Sequence, residues 1–235
     1  MQLQPSRPAP ALGRPLPLII DQPSSHVIAS RHRVLRNTYA LLALTLLFSG
    51  ATAAASVAFA LPAPGLLLTL LAYFGLMYAV HRWQNSIAAL PAIFALTGFM
   101  GYTLGPLLSH TLALPSGGSI IALSMASTGV AFLGMSAWAL VSRRDFSFLG
   151  GMLFAGVLVT LVLAVAGALM PLPGLAVAVA LLLALLSCGL ILHDTSRIVN
   201  GGETNYVLAA VGLYVSLFNL FTSMLSLFGL GAADD

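Results

Sequence analysis

Long apolar stretches, separated by short polar or glycine- and proline-containing breaks, follow one another from Asn37 to the end of the chain. A helix needs about 20 residues to cross about 30 Å of hydrocarbon, and seven stretches fall within the usual range of lengths. The pattern therefore predicts an all-α integral membrane protein with seven transmembrane helices. The predicted spans cover residues 38–61, 65–81, 87–109, 119–141, 149–170, 174–193 and 205–230.

Composition agrees with a chain that has lipid as its main solvent. Of the 235 residues, 59% are hydrophobic and 6% are charged, whereas a soluble domain has about 25% charged residues. The nine basic residues are all arginine, and they form no clustered basic face of the kind that binds nucleic acid. Cys188, the single cysteine, can form no disulfide within the chain. The bilayer is thus the first partner, and nucleic acid is excluded.

Residues 1–36 differ from the rest of the chain because they are rich in proline and hold five of the nine arginines. Their longest apolar stretch, residues 18–20, is too short for a signal-peptide core of about 7 to 15 residues. We therefore predict a disordered cytosolic tail over residues 1–36. The seven-helix membrane domain is predicted over residues 37–235.

The distribution of arginine predicts the orientation of the chain. Arginines occur in the N-terminal segment and in the breaks after spans 2, 4 and 6, but in none of the three opposite breaks. Positive charge marks the cytosolic side of a membrane protein. We therefore expect a cytosolic N-terminus, and seven crossings place the C-terminus outside. The arginines in the breaks are Arg82, Arg143, Arg144 and Arg197.

Small and polar residues recur every three or four positions in spans 1, 3 and 7, so each set occupies one face of its helix. Such a face lets helices pack closely and form hydrogen bonds, or it lines a polar cavity or ion path. Packing is the favoured use in span 3, and both uses stay open for spans 1 and 7. The sets are Thr45, Ser49, Thr52 and Ser56; Thr97, Gly101 and Gly105; and Gly212, Ser216, Asn219, Ser223 and Ser226.

Asp194 is the most informative acidic residue, because it directly follows the apolar run of span 6. A carboxylate near the C-terminal end of a helix opposes the helix dipole and needs a partner. Arg197, one turn on, is placed to form an interfacial ion pair with it. The alternative is a partly buried carboxylate with a raised pKa that acts as a gate or holds a cation. His193 is either a proton sensor or a residue that faces the interface, and Glu203 is expected to serve the cap of span 7 or the loop before it.

Catalytic motifs are scarce in the chain. Gly134-Met135-Ser136 is followed by Ala137, where a membrane serine protease has a glycine. The chain has no metalloprotease helix motif, no Walker loop and no paired intramembrane aspartates. We therefore expect no enzymatic activity, no cofactor and no resident metal.

From about residue 30 to the C-terminus, the chain resembles the Bax inhibitor-1 family, and it is most similar to the bacterial YccA-like branch of that family. Several of the shared motifs are long and keep their order along the chain. The motifs are VLRNTY (34–39), TGFMGY (97–102), GP (105–106), DFSFLGGM (145–152), GGETNY (201–206) and LYVSLFN (213–219).

The resemblance implies a bundle in which six helices surround a central C-terminal helix. Members of the YccA-like branch are described as modulators of the membrane protease FtsH. The resemblance therefore implies a regulator in the bacterial inner membrane that binds the FtsH complex and restrains its turnover of membrane proteins. The N-terminal tail would be long enough to reach the pore of such an AAA-type protease.

The resemblance also implies an alternative function, a pH-dependent leak of calcium or another cation through an aspartate pair in spans 6 and 7. Asp194 occupies the first position, but Ser216 stands where the family pattern Leu-Tyr-x-Asp has the second aspartate. One carboxylate cannot reproduce a coupled pair, so protease regulation ranks first, and a purely structural membrane protein is the third alternative. The candidate pH or ion site comprises Asp194, Ser216, Asn219, Arg197 and Arg82, the last matched to an arginine near the end of span 2.

Overall fold

The computed structural model describes residues 25–142, 144–170 and 174–231, with side chains from Arg33 onward. Every regular element in these ranges is helical, which confirms the all-α fold class. A short 3-10 turn, Ser147–Leu149, precedes the fifth α-helix. The α-helices are α1 (Ser25–Ala58), α2 (Leu66–Trp83), α3 (Ala89–Leu112), α4 (Gly117–Ser142), α5 (Gly150–Leu169), α6 (Leu175–Asn200) and α7 (Tyr206–Gly231).

All seven helices contain a stretch long and apolar enough to cross a membrane. The seven predicted spans are therefore confirmed, and the chain is a multi-pass membrane protein. One difference is at the end of α6, which continues to Asn200 instead of ending at 193. The Asn200 side chain donates to the Arg144 carbonyl oxygen at 3.1 Å and so ties the last turn to the α4–α5 connection. Gly201, in the left-handed conformation with φ of 80°, then ends the helix.

The first helix also begins earlier than predicted. α1 starts at Ser25, so residues 25–36 form its first turns rather than part of a tail. Residues 1–24, the remainder of the predicted tail, lie outside the described residues. So do Arg143, residues 171–173 and residues 232–235, which include Asp234 and Asp235.

The last helix is the most buried of the seven. In α7, 56% of the most apolar stretch is buried, against 6% to 39% in the other spans. α7 packs against α1, α3, α4 and α6. Tyr214, Leu213 and Leu220 are almost completely buried on α7, and they meet Leu96 of α3 and Ile191 of α6 in the same apolar cluster. α7 therefore has a larger share of its apolar stretch buried than any other described helix.

The most extensive helix pair, α1 and α3, is built from small residues. Gly101 lies against Ser49 and Thr52, and Gly105 lies against Ser56, so closely that a Cβ atom at either glycine would overlap those residues. This contact confirms helix packing as the use of the small face in span 3. Ser49, Thr52 and Ser56, three of the four residues on the polar face of span 1, take part in the same contact.

Candidate functional site

A polar cavity of about 210 Å³ lies between α2, α6 and α7, where α2 and α6 end and α7 begins. Its polar lining comes from three elements. His81 belongs to α2, Asp194 and Arg197 belong to α6, and Glu203 belongs to the α6–α7 connection. Gly212 lines the cavity from α7. The cavity thus joins one imidazole, two carboxyl groups and one guanidinium.

The Asp194 carboxylate contacts a neighbour on its own helix, His193, and occupies space that the adjoining helix leaves open at Gly212. Its side chain is 20% exposed, and its Oδ1 lies 3.2 Å from Nδ1 of His193. Gly212 of α7 leaves room for the carboxylate, since a Cβ atom there would lie 2.8 Å from Asp194 Oδ2. The position of the carboxylate therefore depends on a glycine in the adjoining helix.

The ion pair between Asp194 and Arg197, which the spacing predicts, is not formed. The Arg197 side chain turns to the connection that follows α6: its Nη2 lies 3.3 Å from Glu203 Oε2 and 3.4 Å from the Gly202 carbonyl oxygen. The reversal of the chain at the helix end brings the Glu203 carboxylate to Arg197. Because 39% of the Arg197 side chain is exposed, this pair contributes only about 0 to 1 kcal/mol to stability.

Glu203 also serves the loop before α7, as predicted. Its Oε1 accepts a hydrogen bond from the N–H of Asn205 at 2.9 Å. Asn205 in turn caps α7, since its Oδ1 accepts the N–H of Val207 at 2.9 Å. The Asn205 Nδ2 donates to the Gln84 carbonyl oxygen at 3.0 Å and to Asn85 Oδ1 at 3.1 Å. These bonds fasten the start of α7 to the α2–α3 connection.

His193 does not face the membrane interface, which was one of the two alternatives. Its ring is buried, and a Cβ atom on Gly150 at the start of α5 would lie 3.0 Å from its Nε2. His193 therefore lies between Asp194 and the start of α5.

Asp145, in the connection just before α5, accepts the N–H of Ser147 at 2.8 Å. Hydrogen bonds from the Ser147 side chain and backbone hold the Asp145 pKa below its ordinary value.

Three of the five predicted site residues, Ser216, Asn219 and Arg82, do not line the cavity. Ser216 is buried one turn beyond Gly212, and its hydroxyl donates to the Gly212 carbonyl oxygen at 3.0 Å. Asn219 lies a further turn along α7, and Arg82 is exposed near the end of α2. Of the predicted set, the structure brings only the two residues of α6 into one cavity.

His81 lines the cavity although sequence reasoning did not select it. The only available signal was its position next to Arg82, because no spacing links a residue of α2 with Asp194 in α6. Only the packing of the two helices brings them together.

Among the described residues, no group of three or more His, Cys, Asp or Glu side chains is arranged to hold a metal ion.

A protein family and several known membrane proteins match this chain over most of its length. The family described as "Inhibitor of apoptosis-promoting Bax1" matches residues 31–233 of the chain. A protein of Escherichia coli strain K12, named Modulator of FtsH protease YccA, is 47% identical over 207 residues, which cover 88% of this chain and 94% of the relative. A protein of E. coli O6:H1 with the same identity and coverage is named Inner membrane protein YccA. A membrane protein of Vibrio cholerae is 40% identical over 205 residues, which cover 87% of this chain and 92% of the relative.

Proposed function

The chain belongs to the Bax inhibitor-1 family, and on that premise we propose that it is a regulator in the bacterial inner membrane that binds the protease FtsH and restrains its turnover of membrane proteins. The observation that carries the proposal is the 47% identity, over 94% of the relative, to the E. coli protein named as a modulator of FtsH protease. The name of the second E. coli relative supports the inner membrane as the location. The proposed action is binding, with no reaction catalysed by the chain itself.

The proposed orientation places the arginine-bearing end of the bundle in the cytosol. This end is where α1 begins and where α2, α4 and α6 end. Every arginine whose side chain the structure describes lies there, which supports a cytosolic assignment for that end. The proposed centre of the bundle is α7, in line with its burial. The arginines are Arg33, Arg36, Arg82, Arg144 and Arg197.

The protease contact is proposed to lie in residues 1–24, which combine prolines with two arginines ahead of α1. Deleting residues 2–24 leaves every described helix at full length, so the membrane bundle should persist. We expect the full-length chain to slow the degradation of a membrane substrate by FtsH in proteoliposomes. The truncated chain should leave degradation close to the rate measured without it.

A matched variant separates a lost contact from a damaged bundle. Asp194→Asn changes the cavity but not the N-terminal segment, so it should restrain FtsH as the unaltered chain does. If the full-length chain has no effect on the degradation rate and does not co-purify with FtsH, the proposed function is wrong. If the truncated chain restrains FtsH as strongly as the full-length chain does, the role of the N-terminal segment is wrong and the regulator proposal stands.

A pH-sensitive cation leak is the second candidate, and the observation that favours it is the partly buried Asp194 in a polar cavity that also holds Glu203. Ser216 weakens this candidate, because it supplies no second carboxylate and its hydroxyl is engaged by its own helix. If the chain conducts cations, Asp194→Asn should abolish a pH-dependent calcium flux into liposomes. Asp145→Asn, an exposed acid outside the cavity, should leave that flux unchanged. Liposomes that show no flux with the unaltered chain would rule this candidate out.

A further inference from the structure

An open seam runs between α1 and α4. Both helices pack on α3, α6 and α7, but they do not pack extensively on each other in the described part of the chain. Two cavities lie in this gap, one of about 570 Å³ and one of about 520 Å³, sizes typical of small-molecule sites. The rings of Tyr39 and Phe132, with centroids 6.0 Å apart, meet between the two cavities. We call this gap the α1–α4 seam.

The first cavity lies at the arginine-bearing end, and its lining combines mostly apolar surface with two arginines. Arg33 and Arg36 line it from α1, both are exposed, and neither is paired with a carboxylate of the described residues. Tyr39 also lines it, and the buried Tyr39 hydroxyl has no hydrogen-bond partner within the described ranges. A buried donor without a hydrogen-bond partner lowers the stability of the fold. Two guanidinium groups and a hydroxyl donor can all form hydrogen bonds to the oxygens of a phosphate.

The second cavity lies deeper along the seam and is almost wholly apolar. Gly50 of α1 and Gly129 of α4 line it, and a Cβ atom at either position would meet nothing within 4 Å. The space beside these glycines is therefore open, at a depth where the surroundings are hydrocarbon. The larger apolar residues around it include Leu46, Met125, Phe132, Leu217, Phe218 and Phe221.

We propose that the α1–α4 seam binds one anionic glycerophospholipid. Its phosphate lies at Arg33 and Arg36, the Tyr39 hydroxyl donates to a phosphate or ester oxygen, and one acyl chain fills the cavity beside Gly50 and Gly129. Basic pockets between transmembrane helices on the cytosolic side suit such headgroups. Charge selects this occupant, because a zwitterionic lipid would bring its own cation to the two arginines and an apolar helix would bring no anion. The inference goes beyond protease regulation and does not require it.

The test measures lipid retention by native mass spectrometry. The full chain is purified in detergent with equal amounts of phosphatidylglycerol and phosphatidylcholine that carry the same acyl chains. We expect one retained lipid, with phosphatidylglycerol strongly preferred. The double variant Arg33→Gln and Arg36→Gln should reduce that preference by roughly 30-fold, since each arginine near an anionic headgroup contributes about a factor of five. Arg82→Gln, at the same end but outside the seam, should leave the preference unchanged.

The acyl site has its own matched pair of variants. Gly129→Leu should lower the retention of both lipids, because the leucine side chain fills the deeper cavity. Gly134→Leu, on the same helix with equally open space but outside both cavities, should not lower retention. Equal retention of the two lipids by the unaltered chain would overturn the proposal. So would an equal effect of Gly129→Leu and Gly134→Leu, or of the double arginine variant and Arg82→Gln.

A measurement on the unaltered chain covers the case in which a variant does not fold. Phosphatidylglycerol should raise the Tm of the purified chain more than phosphatidylcholine does, because binding to the folded state alone stabilises it. Equal shifts from the two lipids would count against the proposal even without any variant.

Discussion

At the scale of single residues, the position of the Asp194 carboxylate is decided by a residue that carries no side chain. Gly212 leaves the volume that Asp194 Oδ2 requires. The sequence identified both residues, Asp194 as an informative acid and Gly212 as part of a small face, but it did not connect them. That connection depends on how α6 and α7 are rotated against each other, which spacing within one helix cannot reveal.

Gly212→Ala tests this dependence. The new Cβ atom would lie 2.8 Å from Asp194 Oδ2, so the carboxylate must shift or the helices must separate. We expect a loss of about 1 kcal/mol, near the lower end for overpacking, measured as a reduced Tm in detergent. In an Asp194→Ala background the same change should cost much less, and a double-mutant cycle quantifies the difference. Equal costs in the two backgrounds would show that the carboxylate is not what Gly212 accommodates.

The choice of partner for Arg197 shows a second limit of residue spacing. Arg197 stands three residues after Asp194, which suits an ion pair on one helix face. The loop after Gly201 instead brings the Glu203 carboxylate to Arg197, and Asp194 lies beside the His193 ring. Spacing ranks partners within a helix, but it does not account for a partner that a chain reversal supplies.

At the scale of elements, the sequence predicted which segments are helices better than where they end. The apolar stretches identified all seven spans, because the length of a spanning helix is set by the bilayer. The polar residues after 193 suggested a loop, yet α6 continues to Asn200. The tertiary hydrogen bonds from Ser196 and Asn200 to the Arg144 carbonyl oxygen support that extension. The local sequence does not indicate them, because Arg144 lies more than 50 residues earlier in the chain.

The α1–α3 contact gives a prediction at this scale. Gly105→Val should force α1 and α3 apart, because the added side chain overlaps Ser56, and the Tm should fall by on the order of 5 °C. Gly75→Val on α2, where a Cβ atom meets nothing within 4 Å, is the matched control and should change the Tm little. Combining Gly105→Val with Ser56→Gly, which removes both overlapping side-chain atoms, should restore part of the loss. If Gly75→Val is as harmful as Gly105→Val, helix propensity rather than close packing explains both.

At the scale of the whole molecule, hydrophobicity alone could not indicate which helix would be the most buried. In a soluble protein the apolar face marks the core. Lipid and protein core are equally apolar here, so the helices are apolar on faces that meet either one. A central seventh helix is therefore implied only by the family resemblance and stays a prediction; α7 is the most buried described helix and contacts four others.

The proposed orientation is testable in cells. Green fluorescent protein fused after Asp235 should stay dark, and alkaline phosphatase at the same place should be active, because an odd number of crossings carries the C-terminus outside. Fusions at Glu203, in the α6–α7 connection, should give the opposite result, since that connection belongs to the arginine-bearing end. A fluorescent fusion after Asp235 would show that the arginines do not set the orientation.

The burial of α7 also has a consequence for how the protein is made. Ribosomes deliver membrane helices in chain order, and the most buried helix, which contacts α1, α3, α4 and α6, is the seventh in the described part of the chain. Until it arrives, Ser49 lacks the Tyr214 hydroxyl that it meets at 2.6 Å, and its helix faces lipid or the insertion machinery. The earlier helices therefore lack their contacts with α7 until it is inserted. A chain that stops before α7 therefore lacks its most buried helix and leaves the faces of four other helices without their partner.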